Sequence, residues 1–218
     1  MSVWAIVAAA GRGDRLGLDR PKAFASLRGR PLLAESLERL DATDWVDAIV
    51  VAAPEGWEEP AILLAEELGC GKVSSCVTGG PTRADSVRLA LAEVPDDAAV
   101  VLVHDAARPL VTEETVARVL APLGEGWDGA VPGLPLADTV KRVSDDAVVE
   151  TVARDDLVTV QTPQAFVAAV LRSASTGEAS DCAALVERAG GRVKVVPGDP
   201  RLLKVTEPSD LELVASWL

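Results

Sequence analysis

What this 218-residue chain lacks narrows its chemistry before any motif is read. It carries one histidine, His104, around which no Ser–His–Asp or Cys–His relay is built convincingly, and one imidazole makes no metal site. A lone imidazole here reads as a structural, hydrogen-bonded group. Its three cysteines, Cys70, Cys76 and Cys182, are odd in number and lack metal-ligand spacing. That usage fits a reducing, cytoplasmic compartment rather than a disulfide framework. Cations are in deficit: 21 Lys and Arg against 34 Asp and Glu give a net charge of −13. This balance argues against non-specific binding to nucleic acid or an anionic membrane. No apolar run approaches the roughly 20 residues of a transmembrane helix. The chain passes from Met1 into a strand pattern without a secretory leader, and no internal repeat or low-complexity segment interrupts it.

What is present is a core. Hydrophobic residues make up 49% of the chain, enough to expect a single domain over 1–218. Short β-type runs over 5–10, 48–53, 98–104, 129–132, 158–161 and 192–196 alternate with helical patterns, the signature of a mostly parallel sheet with helices on both faces. The first three runs are apolar throughout, as strands covered on both sides should be. Leu33, Leu37 and Leu40 keep helical spacing after Pro31, which suits a first-turn position. Pro60 and Gly69 bracket a second helix, Thr82 is placed to cap a third, and Thr112 starts a fourth. Residues 136–154 break the rhythm. Two β-prone arms about Ser144-Asp145-Asp146 predict an inserted hairpin, and a hairpin needs a surface to lie on, either this sheet or, the favoured reading, a partner subunit.

The most informative segment follows the first strand. Gly11, Gly13 and Gly17 are interleaved with Arg12, Arg15, Arg20 and Lys22. Glycines let main-chain N–H groups approach an anion, and fixed cations neutralise it, a combination suited to a polyphosphate. It is not a Walker loop, because Lys22 follows Pro21 and precedes Ala23. Nor is it a dinucleotide fingerprint: Leu16 stands where the third glycine belongs, and the next strand ends in Ala53-Pro54 without the ribose-binding acid. Those absences disfavour a nicotinamide-dependent reductase. An ordinary glycine-rich turn and a nucleoside-triphosphate loop remain.

Further candidates have plain structural alternatives. Val101–Pro109 delivers Asp105 and Arg108 to the carboxyl end of a buried strand, where such sheets bind ligands. Asp105 there either caps a turn or holds Mg²⁺ against a triphosphate. Gly79–Val87 is either a helix start or a base-reading turn in which Gly80 and Ser86 take part. Asp138–Lys141 and Arg154 lie on the hairpin arms, either as a solvated face or as ligand contacts. Gln161–Gln164 reads as the end of a strand and the start of a helix, and Lys204 is either a surface charge or a site residue. A reaction whose nucleophile is already ionised needs no general base. Attack of a phosphate oxygen on an α-phosphorus is such a reaction, and it needs positioning and charge neutralisation instead.

Taken in order, Ala9–Arg15, Pro21–Phe24, Gly79–Val87, Val103–Pro109, Asp138–Lys141, Gln161–Gln164 and Lys204–Leu211 resemble the 2-C-methyl-D-erythritol 4-phosphate cytidylyltransferases, enzymes of the non-mevalonate isoprenoid pathway. The resemblance implies a Rossmann-like nucleotidyltransferase fold acting as a homodimer through hairpin arms. CTP and the sugar-alcohol phosphate would give CDP-methylerythritol and pyrophosphate with Mg²⁺. A relative using another polyol phosphate, such as ribitol 5-phosphate, is the alternative. By position, Ala9, Ala10, Gly11 and Gly13 would hold the nucleotide, Gly80 and Ser86 read cytosine, and Ala106 contacts ribose. Arg15, Lys22 and Lys204 would act on the phosphates, and Asp105 would serve substrate and metal. Thr139, Arg154 and Ser180 would bind the acceptor. The chain departs from the family pattern at Ala23, at Pro81, where a base-contacting acid can stand, and at Cys182. Asp199 is the candidate for a second metal-binding acid.

Overall fold

The computed structural model describes residues 2–175 and 181–218. In chain order its elements are β1 (Val3–Ala8), β2 (Ser26–Leu27), β3 (Arg30–Pro31), α1 (Leu32–Ala42), β4 (Ala48–Ala53), α2 (Glu58–Glu67), β5 (Val73–Thr78), α3 (Arg83–Leu91), β6 (Val100–Asp105), α4 (Glu113–Gly124), β7 (Gly129–Pro135), β8 (Val140–Ser144), β9 (Ala147–Val152), β10 (Val158–Val160), β11 (Gln164–Val167), α5 (Ala168–Ala174), α6 (Cys182–Arg188), β12 (Val193–Pro197) and α7 (Pro208–Ser216). Eight strands form one sheet in the order β10–β7–β11–β6–β1–β4–β5, with β12 on β7. The pairs β1–β4, β1–β6, β4–β5 and β7–β12 are parallel, whereas β10 and β11 run antiparallel to β7. This is the expected α/β, Rossmann-like plan.

Period-two alternation divides the strand side chains between two cores. Val3, Ala5 and Val7 of β1 face a layer built on α1, α2 and α4, through Leu33, Leu37, Ala61 and Val116. Ile6 faces the opposite layer, made by α3, α5 and α6 with Val87, Leu171 and Val186. Because β1 lies between β4 and β6 and is covered on both faces, its continuous apolar run is a burial requirement.

Several sequence expectations need correction. Strand β1 ends at Ala8, so Ala9 and Ala10 belong to the loop beyond it. Pro31 precedes the first helical residue instead of occupying the first turn. Strand β5 went unrecognised because Ser74 and Ser75 interrupt its apolar pattern. Gln161–Gln164 does not open a helix. Gln164 begins strand β11, which inserts antiparallel between β6 and β7, and the helix starts only at Ala168. By contrast Thr82 caps α3 as expected, accepting from the Asp85 N–H at 3.1 Å.

The hairpin forms as a separate two-stranded sheet, β8 against β9. Arg142 pairs with Glu150 at 2.8 Å across it, while Val143, Val148 and Val149 remain more than half exposed. Val140 and Val152 at its base are partly buried, but those three valines are left largely uncovered by the described residues of this chain.

Phe166 shows how tightly β11 is fitted. It is fully buried, and its ring lies so close over Gly129 that a Cβ there would approach it to 2.5 Å. Phe166→Ala is expected to lower stability by about 3–5 kcal/mol. Urea unfolding should register this as a fall in the midpoint.

Candidate active site

A cleft of about 980 Å³ opens at the carboxyl ends of β1, β4, β5 and β6. The loop after β1 forms its floor. Gly13 has φ 76°, and a Cβ on it would come within 2.6 Å of the Lys22 Cβ. Glycine therefore supplies both the left-handed backbone and the room for Lys22 to pack against the loop. Two 3-10 turns carry the cations, Asp14–Leu16 presenting Arg15 and Lys22–Phe24 presenting Lys22. Leu16 anchors the first in a small core with Leu27, Leu110 and Val205. The second is pinned by Phe24, whose ring lies 4.5 Å from that of Trp57. Among the described residues the Ala10 and Gly11 N–H groups make no hydrogen bond to protein, so they remain free to donate to an anion.

Asp105, at the end of β6, is the electrostatic centre. Its Oδ1 accepts from Arg83 Nε at 2.8 Å and its Oδ2 from Lys204 Nζ at 2.7 Å. Burial alone would raise its pKa. The flanking Arg83 and Lys204 charges overcome that and hold the carboxyl far below the usual range, so it is ionised at any working pH. The tail reaches this point because Val205 N–H donates to the Ala107 carbonyl at 2.8 Å and Arg108 donates to that of Leu202 at 2.6 Å. Leu202 and Val205 are fully buried, which fixes the intervening Lys204.

His104 supports this arrangement from behind. Its Nε2 lies 3.0 Å from the Arg108 carbonyl, an acceptor, so Nε2 carries the proton. Its Nδ1 then accepts from Thr162 Oγ1 at 3.2 Å, and the same oxygen accepts from the Asp105 N–H at 3.0 Å. Burial, the leading cause, pushes the imidazole pKa down to about 4, consistent with a neutral structural histidine.

Lys22 differs from the other cations. Burial and the nearby Lys204 charge lower its pKa to about 8, only partly offset by Asp105. Lys22, Lys204 and Arg15 therefore repel one another in a site whose described side chains do not neutralise them fully. Such a cluster favours a polyanion.

The cleft gathers eleven of the expected residues: Ala9, Ala10, Gly11, Gly13, Arg15, Lys22, Gly80, Ser86, Asp105, Ala106 and Lys204. Ser86 Oγ accepts from the Gly80 N–H at 3.1 Å, folding that turn onto the start of α3. A Cβ on Gly79 would overlap that of Ala10, so this turn and the β1 loop meet in close contact. Thr139 and Arg154 do not line the cleft; both are exposed at the base of the hairpin, where Arg154 donates to the Ala137 carbonyl. Ser180 lies outside the described residues. Asp199 is not a cleft residue, because its carboxylate accepts from the Arg201 N–H at 2.8 Å within its own turn.

Sequence reasoning overlooked Arg83 and Thr162. Arg83 left a readable signal: it is the first residue of α3, where a helix N-terminus disfavours a cation unless an anion such as Asp105 holds it. Thr162 left none, because its partners are 57 and 58 residues away.

A family model described as 2-C-methyl-D-erythritol 4-phosphate cytidylyltransferase matches residues 3–218. The protein of that name from Saccharopolyspora erythraea is 48% identical over 225 residues and is covered along 100% of both chains. That from Frankia casuarinae is 47% identical over 220 residues, covering 99% of this chain and 81% of its own. The crystal structure of the Thermus thermophilus cytidylyltransferase aligns with a TM-score of 0.79 at 35% identity, over 100% of this chain and 98% of that one. A 4-diphosphocytidyl-2C-methyl-D-erythritol synthase structure gives a TM-score of 0.83 at 30% identity, over 99% and 97%. Sequence, fold and the cation-lined cleft thus agree, and the chain belongs to the 2-C-methyl-D-erythritol 4-phosphate cytidylyltransferase family.

Proposed function

We propose that the protein transfers CMP from CTP to 2-C-methyl-D-erythritol 4-phosphate, forming CDP-methylerythritol and pyrophosphate for isoprenoid precursor synthesis. The observation that carries this reading is the meeting of Lys22, Lys204 and the β1 loop in one cleft that holds unneutralised positive charge.

A phosphate oxygen of the acceptor attacks the α-phosphorus of CTP. A new P–O bond forms there as the bond to the bridging oxygen of the β-phosphate breaks, and pyrophosphate leaves with that electron pair. The acceptor oxygen is already anionic, so no residue needs to remove a proton, in keeping with a neutral, buried His104. Main-chain N–H groups of the β1 loop receive the triphosphate, and Arg15 and Lys22 offset the charge that builds on the equatorial oxygens. Asp105 holds Lys204 at the phosphates. Gly80 and Ser86 bound the base end, and Ala106 the ribose.

Mg²⁺ suits this donor set. Among the described residues no three metal-binding side chains cluster, but magnesium commonly takes one carboxylate together with phosphate oxygens and water. Each Asp105 oxygen meets one cation and keeps a further lone-pair site, so Asp105 can hold the ion. Bound there, it would offset phosphate charge during transfer.

The hairpin completes the reading. Its uncovered valines suit a homodimer in which each arm carries Thr139 and Arg154 to the partner's acceptor site. No helix among the described residues is long and apolar enough to cross a membrane, and a cytoplasmic setting accords with free Cys70, Cys76 and Cys182.

Four outcomes test this reading. Lys22→Met should lower kcat by ~10²–10³ with little change in CTP affinity, the scale of one lost electrostatic stabiliser. The same variant should melt at a higher temperature at pH 7. Protonated Lys22 is disfavoured in the folded protein, so its destabilisation is present below pH about 8 and disappears as pH rises towards its unfolded value of 10.5. Calorimetry and steady-state kinetics together read both effects. In the unliganded enzyme Lys22 loses its charge as pH rises through about 8, so kcat/KM for CTP should decline there, and Lys22→Arg should move that limb upward. Arg154→Ala should raise the acceptor KM and spare CTP binding measured by titration calorimetry; the reverse pattern removes the arm from the acceptor site.

A further inference from the structure

The base end of the cleft has few groups able to tell cytosine from uracil. Cytosine presents an exocyclic amino donor where uracil presents a carbonyl, so a discriminating site needs an acceptor there. Of the expected groups, the Ser86 hydroxyl is engaged, and the Gly79 and Gly80 main-chain carbonyls offer only uncharged acceptors. Ser86 Oγ accepts from the Gly80 N–H at 3.1 Å and donates its one proton to the Thr82 carbonyl at 2.9 Å. The Gly79 N–H is bound to the Ala53 carbonyl at 2.7 Å. Pro81 has neither an N–H nor a side-chain acceptor.

Three carboxylates line the cleft, those of Asp14, Glu55 and Asp105. Asp105 is held by Arg83 and Lys204. Asp14 sits in the 3-10 turn that presents Arg15, at the phosphate loop. Glu55 is exposed, and among the described residues its carboxylate has no ion pair or hydrogen bond.

Its backbone position brings it to the base-reading turn. Ala53, the last residue of β4, pairs with Thr78, the last of β5. Glu55 lies two residues beyond Ala53, and Gly80 two beyond Thr78, so the two strand exits flank one corner of the cleft. The Pro54–Trp57 turn is closed by Trp57 N–H donating to the Pro54 carbonyl at 2.9 Å, with Gly56 at φ 76°. Trp57 packs against Phe24 with its ring tilted by 44°, which ties this turn to the floor that carries Lys22.

We propose that Glu55 is a specificity-determining residue whose carboxylate accepts a hydrogen bond from the exocyclic amino group of the nucleotide base. This inference rests on the reading of the cleft as a CTP site and extends it to the choice of base. A carboxylate set against a pyrimidine carbonyl places lone pairs against lone pairs, so the same group that attracts cytosine repels uracil.

The test offers CTP and UTP together, at equal concentration, with the acceptor phosphate and Mg²⁺, and measures the two nucleotide products by mass spectrometry. Their ratio reports the ratio of kcat/KM. The unsubstituted protein should favour the cytidine product. Glu55→Gln should lower the ratio about 10- to 100-fold, the scale of one hydrogen bond to a charged group, chiefly by slowing CTP use. Glu58→Gln, which alters a neighbouring carboxylate that instead accepts from Thr78 and does not line the cleft, should retain it. A ratio unchanged in both Glu55→Gln and Glu55→Ala would overturn the assignment, as would an unsubstituted protein that uses both nucleotides equally. No pyrophosphate from CTP under any condition would instead defeat the underlying reading of the site.

Discussion

The site is organised by one buried carboxylate shared between two cations. Asp105 is nearly inaccessible, and desolvation alone would raise its pKa. It stays ionised because Arg83 and Lys204 approach it at 2.8 and 2.7 Å. The three groups arrive from β6, α3 and the segment before α7, so their meeting fixes three parts of the fold at the same end of the sheet. A buried pair adds little net stability once desolvation is counted, but removing one member is costly because it strands the others. The triad therefore specifies geometry more than it adds stability. It leaves Lys22 and Arg15 without a carboxylate hydrogen-bonded to them among the described residues.

This arrangement also explains why a chain with a large acidic excess can handle a polyanion. The chain as a whole carries 34 acidic against 21 basic side chains, whereas the cleft lining carries five cations, Arg12, Arg15, Lys22, Arg83 and Lys204, against the three carboxylates of Asp14, Glu55 and Asp105. The lowered pKa of Lys22 reflects its burial first and the neighbouring Lys204 charge second. His104, the one imidazole, is committed to holding Thr162 and the Arg108 carbonyl, and the chemistry has no need of it as a base.

How much of this was legible in the sequence depended on the reach of each interaction. Continuous apolar runs announced β1, β4 and β6, because strands covered on both faces cannot tolerate polar residues. The glycine–arginine loop announced an anion site through local backbone requirements alone. Strand β5 was hidden by serines, and β11 by a Gln-Thr-Pro-Gln segment whose partners are fixed only when β6 and β7 enclose it. Asp105 and Lys204 each stood out, but nothing local shows that they touch across 99 residues. Arg83 was readable in principle, as a cation at a helix N-terminus. The hairpin was found from its alternation, whereas the acceptor-site role proposed for its arms has no local signature in the sequence.

Central to the proposed mechanism is an acceptor phosphate oxygen displacing pyrophosphate from the α-phosphorus of CTP. The most direct measurement supplies unlabelled CTP and methylerythritol phosphate carrying ¹⁸O in its non-bridging phosphate oxygens, then follows the isotope by mass spectrometry. All label should appear in CDP-methylerythritol, including the new bridging oxygen, with pyrophosphate released unlabelled. Label in the pyrophosphate, or no transfer from CTP at all, would contradict this mechanism.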